Sequence, residues 1–208
     1  YVITSFPTAG ESITIIDADS LGTPNLIPGI ARGNAAGQLP QATFLQASRN
    51  GNFIWVTFSA QTFGDGGIGV IDTATDTVIA RLDLSDFTPN KMVETDNSIL
   101  FVSGGEGTDV ILVVDASVPT ALREVTRIAI GVAGKGRNLA LSLDRTRIYV
   151  PNSGEESGSV SVIDVATHLV LATIPTDSAN PNAIVSIDAI GLEVPKNGTG
   201  ADDGHDHG

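Results

Sequence analysis

The residues best equipped for chemistry sit in the last seven positions, Asp202-Asp203-Gly204-His205-Asp206-His207-Gly208. Two imidazoles among three carboxylates suit a borderline divalent ion such as Zn²⁺ or Cu²⁺, with His205, His207, Asp203 and Asp206 as the candidate ligands. His-rich short tracts carry this signal through composition alone, and an acidic tail that binds nothing has the same composition. A second candidate set recurs along the chain in Gly-rich links between apolar segments: Glu11, then Asp65, then Glu106 with Asp109, then Glu155 with Glu156. Gathered on one face, they would form an acidic ring able to hold Ca²⁺ or to dock a basic protein. Left to themselves, they would be solvated loop charges, the commoner state of such residues. No Asp-x-Asp-x-Asp-Gly calcium loop occurs. Arg32, Lys91, Lys135 and Arg137 fall near the same links and could either receive an anion or form exposed ion pairs worth little individually.

Histidine is the usual acid–base residue near neutral pH, and the only one outside the tail is His168, expected in an exposed hairpin turn without a catalytic role. No Gly-x-Ser-x-Gly, phosphate-binding loop or His-Glu-x-x-His is present. Catalytic and cofactor-binding residues are therefore not assigned. A divalent metal, Zn, Cu or Ca, is the one ligand the composition suggests. Asn197-Gly198-Thr199 is a formal glycosylation sequon.

The formal net charge is −13, with no basic stripe, which argues against nucleic acid and favours cations or basic partners. The absence of cysteine excludes disulfides, thiolate metal sites and a Cys-x-x-Cys-His haem attachment within these residues. It also fits an extracellular, cell-surface or periplasmic location. No apolar run approaches the roughly 18 residues of a membrane helix. A chain that opens on Tyr1, inside a strand pattern, suggests residues before it.

The elements that must position these groups come from a repeat. An aromatic-Val pair, a polar Gly-rich link and an alternating run ending in Asp occur four times: Tyr1-Val2 to Asp17, Trp55-Val56 to Asp72, Phe101-Val102 to Asp115, and Tyr149-Val150 to Asp164. A repeat of about 40–50 residues is the size of a four-stranded propeller blade. Period-two alternation marks the strands, as in Ser12 to Asp17, and Asn50-Gly51 supplies a hairpin turn. No segment keeps helical spacing. The expected fold is an all-β β-propeller of four-stranded antiparallel blades, about four in this chain, at 12–59, 68–103, 109–152 and 159–188. Residues 1–5 would be a closing outer strand, 1–194 the propeller and 195–208 the tail. Trp55, Phe101, Tyr149 and Tyr1 take matching positions, best explained by packing between blades.

Val70-Ile71-Asp72-Thr73-Ala74-Thr75-Asp76-Thr77-Val78-Ile79-Ala80 and Val162-Ile163-Asp164-Val165-Ala166-Thr167-His168-Leu169-Val170 resemble the first hairpin of YVTN-type β-propeller repeats. Tyr149-Val150-Pro151-Asn152 and Tyr1-Val2-Ile3-Thr4 resemble the outer-strand signature of that family. Ala140-Leu141-Ser142-Leu143-Asp144-Arg145 resembles its Ser-Pro-Asp-Gly turn without the Pro and Gly. The resemblance extends to about Asp188 and implies a surface or periplasmic propeller. Similar propellers include lactonases and haem-containing reductases, so the resemblance names no activity. The family usually has about seven blades, which favours a portion of a larger ring or an assembly of chains, while the match of the two loose ends favours a compact four-bladed ring.

Three functions follow as expectations. The first is a non-catalytic exported scaffold or partner-binding subunit, not an integral membrane protein, acting as an oligomer or as part of a larger complex. The second is metal handling by the His/Asp tail. The third is part of an enzyme, lactonase-like or haem-reductase-like, with its reactive residues elsewhere. For closure, residues 1–5 are expected to pair antiparallel with residues 183–188, within one chain or between chains.

Overall fold

The computed structural model describes residues 2–4, 12–15, 25–27, 41–59, 66–104, 110–130, 138–153 and 158–177. Within them the chain is strand and turn, with no helix. A three-stranded sheet comes first: β1 (Val2–Thr4), β2 (Ser12–Ile15) and β3 (Asn25–Ile27), paired in that order. The second sheet holds β4 (Gln41–Ala47), β5 (Phe53–Ser59), β6 (Gly66–Asp72) and β7 (Thr77–Leu84). The third holds β8 (Pro89–Glu94), β9 (Ile99–Gly104), β10 (Val110–Asp115) and β11 (Arg123–Ala129). The fourth holds β12 (Ala140–Leu141), β13 (Arg147–Asn152), β14 (Gly158–Asp164) and β15 (Val170–Thr176). Each is an antiparallel meander in chain order.

The repeat length expected from the sequence holds, but its phase shifts. The aromatic-Val strand and the Asp-ended strand were expected to close one blade and open the next. They pair directly inside one sheet instead: Trp55 opposite Val70, Phe101 opposite Val113, Tyr149 opposite Val162. The sheets therefore span residues 41–84, 89–129 and 140–176 rather than 68–103, 109–152 and 159–188. A repeat around a ring has no intrinsic starting point, and both strands of the signature are apolar enough to be the two buried central strands. The same shift moves β1. Val2–Thr4 pair with Ser12–Thr14, so β1 is joined to β2 as β5 is joined to β6 and is not a lone outer strand. Residues 183–188, its expected partner, lie outside the described residues.

Alternation along the central strands gives the second, third and fourth sheets two apolar faces, and each described interface buries one face of each neighbour. Trp55, Ile68 and Val70 of the second sheet pack with Met92, Leu100, Val102, Leu112 and Val114 of the third. The opposite face of the third sheet, with Phe101, Ile111, Val113 and Ile128, packs on Leu139, Ile148, Val150 and Ile163 of the fourth. Trp55 and Phe101 are almost fully buried. Their placement bears out the expectation of inter-sheet packing for these two; Tyr149 lies in neither core and Tyr1 is outside the described residues.

Gly67 shows the tightness of this packing. A Cβ there would lie 2.3 Å from the Phe58 ring and 2.4 Å from the Leu82 carbonyl oxygen. Each complete sheet also carries a register shift just before its marker Asp, at Val70/Ile71, Val113/Val114 and Val162/Ile163. Such irregularities add local twist at the same level of every sheet.

Candidate functional site

The turns between first and second strands are built alike. Gly51, Ser98 and Arg145 each donate their backbone N–H to the carbonyl three residues back, on Ser48, Thr95 and Ser142. All three have positive φ, at 74°, 54° and 60°. Arg145 therefore occupies the left-handed position where the Ser-Pro-Asp-Gly turn has its glycine, which explains how the motif survives without it.

The turns between third and fourth strands explain the recurrent Asp. Asp72 Oδ1 accepts from the N–H groups of Ala74 and Thr75 at 2.8 and 3.0 Å. Asp164 Oδ1 accepts from the N–H of Ala166 and of Thr167, and Asp115 Oδ1 from the N–H and hydroxyl of Ser117. These are Asx turns, the carboxylate replacing a backbone acceptor. Hydrogen bonds to the ionised form lower the pKa of Asp115 and Asp164. The Ser117 hydroxyl and N–H, with Arg123, hold Asp115 at about 2. The N–H and hydroxyl of Thr167 lower Asp164. The residue after each Asp, Thr73, Ala116 or Val165, donates to a first-turn carbonyl on Asn52, Ser98 or Thr146. The two turn sets are thereby tied together at one end of each sheet.

That end also links sheet to sheet. Asp96 accepts from Arg49 of the second sheet and Arg145 of the fourth, and Arg145 Nη2 donates to the Glu94 carbonyl at 2.8 Å. The Glu94 side chain is buried, and its Oε2 accepts from the Trp55 indole at 3.0 Å and from the Arg49 N–H at 2.9 Å. Toward the opposite end, Arg127 of β11 bonds Asp86, in the link between β7 and β8, with two hydrogen bonds of 2.9 Å and also holds Glu124. Hydrogen bonding from Arg127 lowers the Asp86 pKa. These charges are consumed by structure.

The sequence-derived candidates fall mostly elsewhere. Glu11, Asp65, Glu106, Asp109, Glu155, Glu156, Arg32, Lys135 and Arg137 lie outside the described residues, as do His205, His207, Asp203 and Asp206. The links that carry Asp65, Glu106 with Asp109, and Glu155 with Glu156 join second to third strands of one sheet, a correction to their assignment between blades. Among the described residues no group of three His, Cys, Asp or Glu side chains could hold a metal. Lys91, on β8, lies 5.9 Å from the Phe44 ring centre. His168 is in a hairpin turn as expected, but it is only half exposed. It takes a φ of 60°, and its ring meets Phe101 edge-on at 5.6 Å.

One surface feature was not foreseen. An open groove of about 580 Å³ runs between β11 and the start of β15, lined by Val125, Ile128, Arg127, His168, Leu169 and Val170 among others. Leu169 is 61% exposed and Val125 45%. The turns beside it differ in length. The β10–β11 turn spans residues 116–122, and its Leu122 packs on the interface below it. The β14–β15 turn spans only 165–169, and Leu169 lies open. Comparing those two turn lengths in the repeat was the signal available in the sequence. A second feature missed is the buried trio at the other end of β13, where Asn152 Nδ2 donates to Ser161 Oγ at 2.8 Å and Ser159 Oγ at 3.1 Å.

No protein-family model matches the sequence. No curated protein matches it either. Solved structures do match its shape. Hydrazine synthase of Kuenenia stuttgartiensis aligns over 79% of this chain and 43% of its own, at 20% identity and a TM-score of 0.62. The Cps50 (Swd1) β-propeller domain of Myceliophteria thermophila aligns over 81% and 54%, at 10% identity and a TM-score of 0.60. A putative 6-phosphogluconolactonase from Bacteroides uniformis aligns over 80% and 51%, at 16% identity and a TM-score of 0.53. The chain thus spans about half the length of the solved structures it matches. With its stacked four-stranded antiparallel sheets, it has the fold of a β-propeller, and at these identities the likeness extends to fold alone.

Proposed function

We propose that this chain is a non-catalytic, exported β-propeller that acts as a scaffold or partner-binding subunit, with the groove between β11 and β15 as its contact surface. The observation that carries this reading is the division of labour among its side chains. The charged hydrogen bonds described above serve turns and inter-sheet ties, while Leu169, Val170 and Val125 stand exposed around a concave surface. Exposed apolar groups clustered at a groove, with an arginine in its wall, have the composition of a protein contact. Export rests on the cysteine-free, acidic composition. The acidic balance favours a partner with a basic contact patch. Among the neighbours, one structure is of the mitotic checkpoint complex, at 16% identity, which supports partner binding only as a capacity of the fold.

Site-specific photo-crosslinking in the source organism tests this. A photoreactive residue at Leu169 should give one discrete adduct, and the same residue at Thr75, on a turn of the second sheet, should give none. Absence of any adduct at Leu169, or the same adducts at both positions, overturns the proposal.

A further inference from the structure

The forward face of the fourth sheet repeats the faces that are covered elsewhere. Trp55 and Phe101 each project onto the next sheet, within the second–third and third–fourth interfaces. Tyr149 stands at the same position of β13, opposite Val162, and Pro151 stands opposite Val160. Ala172 and Ile174 of β15 extend this face through their pairing with Val162 and Val160. No described sheet covers it, and Ile174 is 51% exposed.

The sequence after β15 supplies a matching element. Residues 182–198 repeat residues 138–154 without a gap: Asn182, Ser186, Asp188, Val194, Pro195 and Gly198 match Asn138, Ser142, Asp144, Val150, Pro151 and Gly154. Pro195 is no obstacle to a strand there, because Pro151 sits within β13 opposite Val160. In the fourth sheet Leu139, Ile148 and Val150 face back onto the third, with Leu141 packed beside them. Their counterparts are Ala183, Leu192, Val194 and Val185, all apolar. Glu193 takes the place of Tyr149, on the face turned away.

We propose that residues 182–198 form the first hairpin of a further sheet, and that Ala183, Val185, Leu192 and Val194 cover the forward face of the fourth sheet. The proposal replaces the expectation that residues 183–188 are the third strand of the last blade, closed by residues 1–5, since the fourth sheet already has its four strands without them. It is independent of the partner groove, which lies on the opposite side of β15.

Thiol reactivity in the full chain tests it, since the protein has no cysteine of its own. Val162→Cys and, separately, Ala172→Cys report the covered face, and Thr75→Cys reports an open turn. Maleimide labelling at positions 162 and 172 should be slow, and about tenfold or more faster once Leu192→Asp and Val194→Asp are added, as local opening of that hairpin exposes the face. Labelling at position 75 and the Trp55 emission should not change. If the double substitution unfolds the chain, Val194→Ser gives the same comparison with less disruption. Glu193→Lys, on the outer side, should leave protection intact. Equally fast labelling with and without the tail substitutions overturns the proposal. So does protection that survives them, or protection that disappears on dilution, because either result assigns the cover to another segment or to a second copy.

Discussion

The carboxylate of Glu94 on β8 accepts the indole N–H of Trp55 on β5, at 3.0 Å, across the interface between two sheets. Both residues are buried, and the same oxygen accepts the Arg49 backbone N–H. This hydrogen bond fixes how far the third sheet slides along the second, which apolar packing alone would leave loose.

Removing one partner should show its worth. Glu94→Ala leaves the buried Trp55 indole N–H without its acceptor, and should destabilise the chain by about 1–3 kcal/mol. Trp55→Phe should cost a similar amount through lost volume and the lost donor. The double variant should cost less than the sum, which urea unfolding can read as a coupling energy. Strict additivity would show that the bond contributes nothing.

Ser98 holds a left-handed backbone with φ of 54° and contributes through its N–H and carbonyl. Ser98→Gly should keep both hydrogen bonds and raise stability by about 0.5–1 kcal/mol, the steric relief exceeding glycine's greater entropy loss. Ser98→Val should lower the melting temperature. A lower melting temperature for the glycine variant would contradict the turn geometry.

The Asx turns make the fold acid-sensitive in a defined window. Asp115 is held at about 2 by Ser117 and Arg123, below the ordinary value of 3.8. A carboxylate whose folded pKa is depressed contributes stability that is fully present above its unfolded pKa. That stability is lost as pH falls through the folded one. Stability should therefore decline between about pH 4 and pH 2. Asp115→Asn should flatten that part of the profile, and an unchanged slope would contradict the assignment.

The tail makes a separable prediction. If His205, His207, Asp203 and Asp206 bind Zn²⁺ or Cu²⁺, calorimetry should show stoichiometric binding that disappears when residues 202–208 are removed. Binding that persists would place the metal elsewhere, and no binding would end the metal reading.

Much of the architecture was legible because Trp55, Phe101 and Tyr149 recur with the Asp at 72, 115 and 164, and two-residue alternation leaves little choice but strands. The phase was not legible, because Gly66–Asp72 is equally apolar whether it opens a sheet or lies third within one. The link before the Asp-ended strand misled: it joins second and third strands of one sheet and is not a boundary between sheets, while the Asp caps a hairpin turn as expected. The groove was hidden for another reason. It is lined by residues of two neighbouring sheets, Val125 to Ala129 and Thr167 to Val170, and no motif within one repeat marks a gap between two.

The most direct test of the proposed function is the affinity of the partner that crosslinks through Leu169, measured with two variants of equal chemistry. Leu169 and Leu143 are both strongly exposed, at 61% and 58%, but only Leu169 lines the groove. Leu169→Asp should weaken binding by about 30-fold or more, as for a residue at the centre of a contact, while Leu143→Asp should change it less than about twofold. Equal affinities for both variants, or an equal loss in both, would contradict the groove as the binding surface.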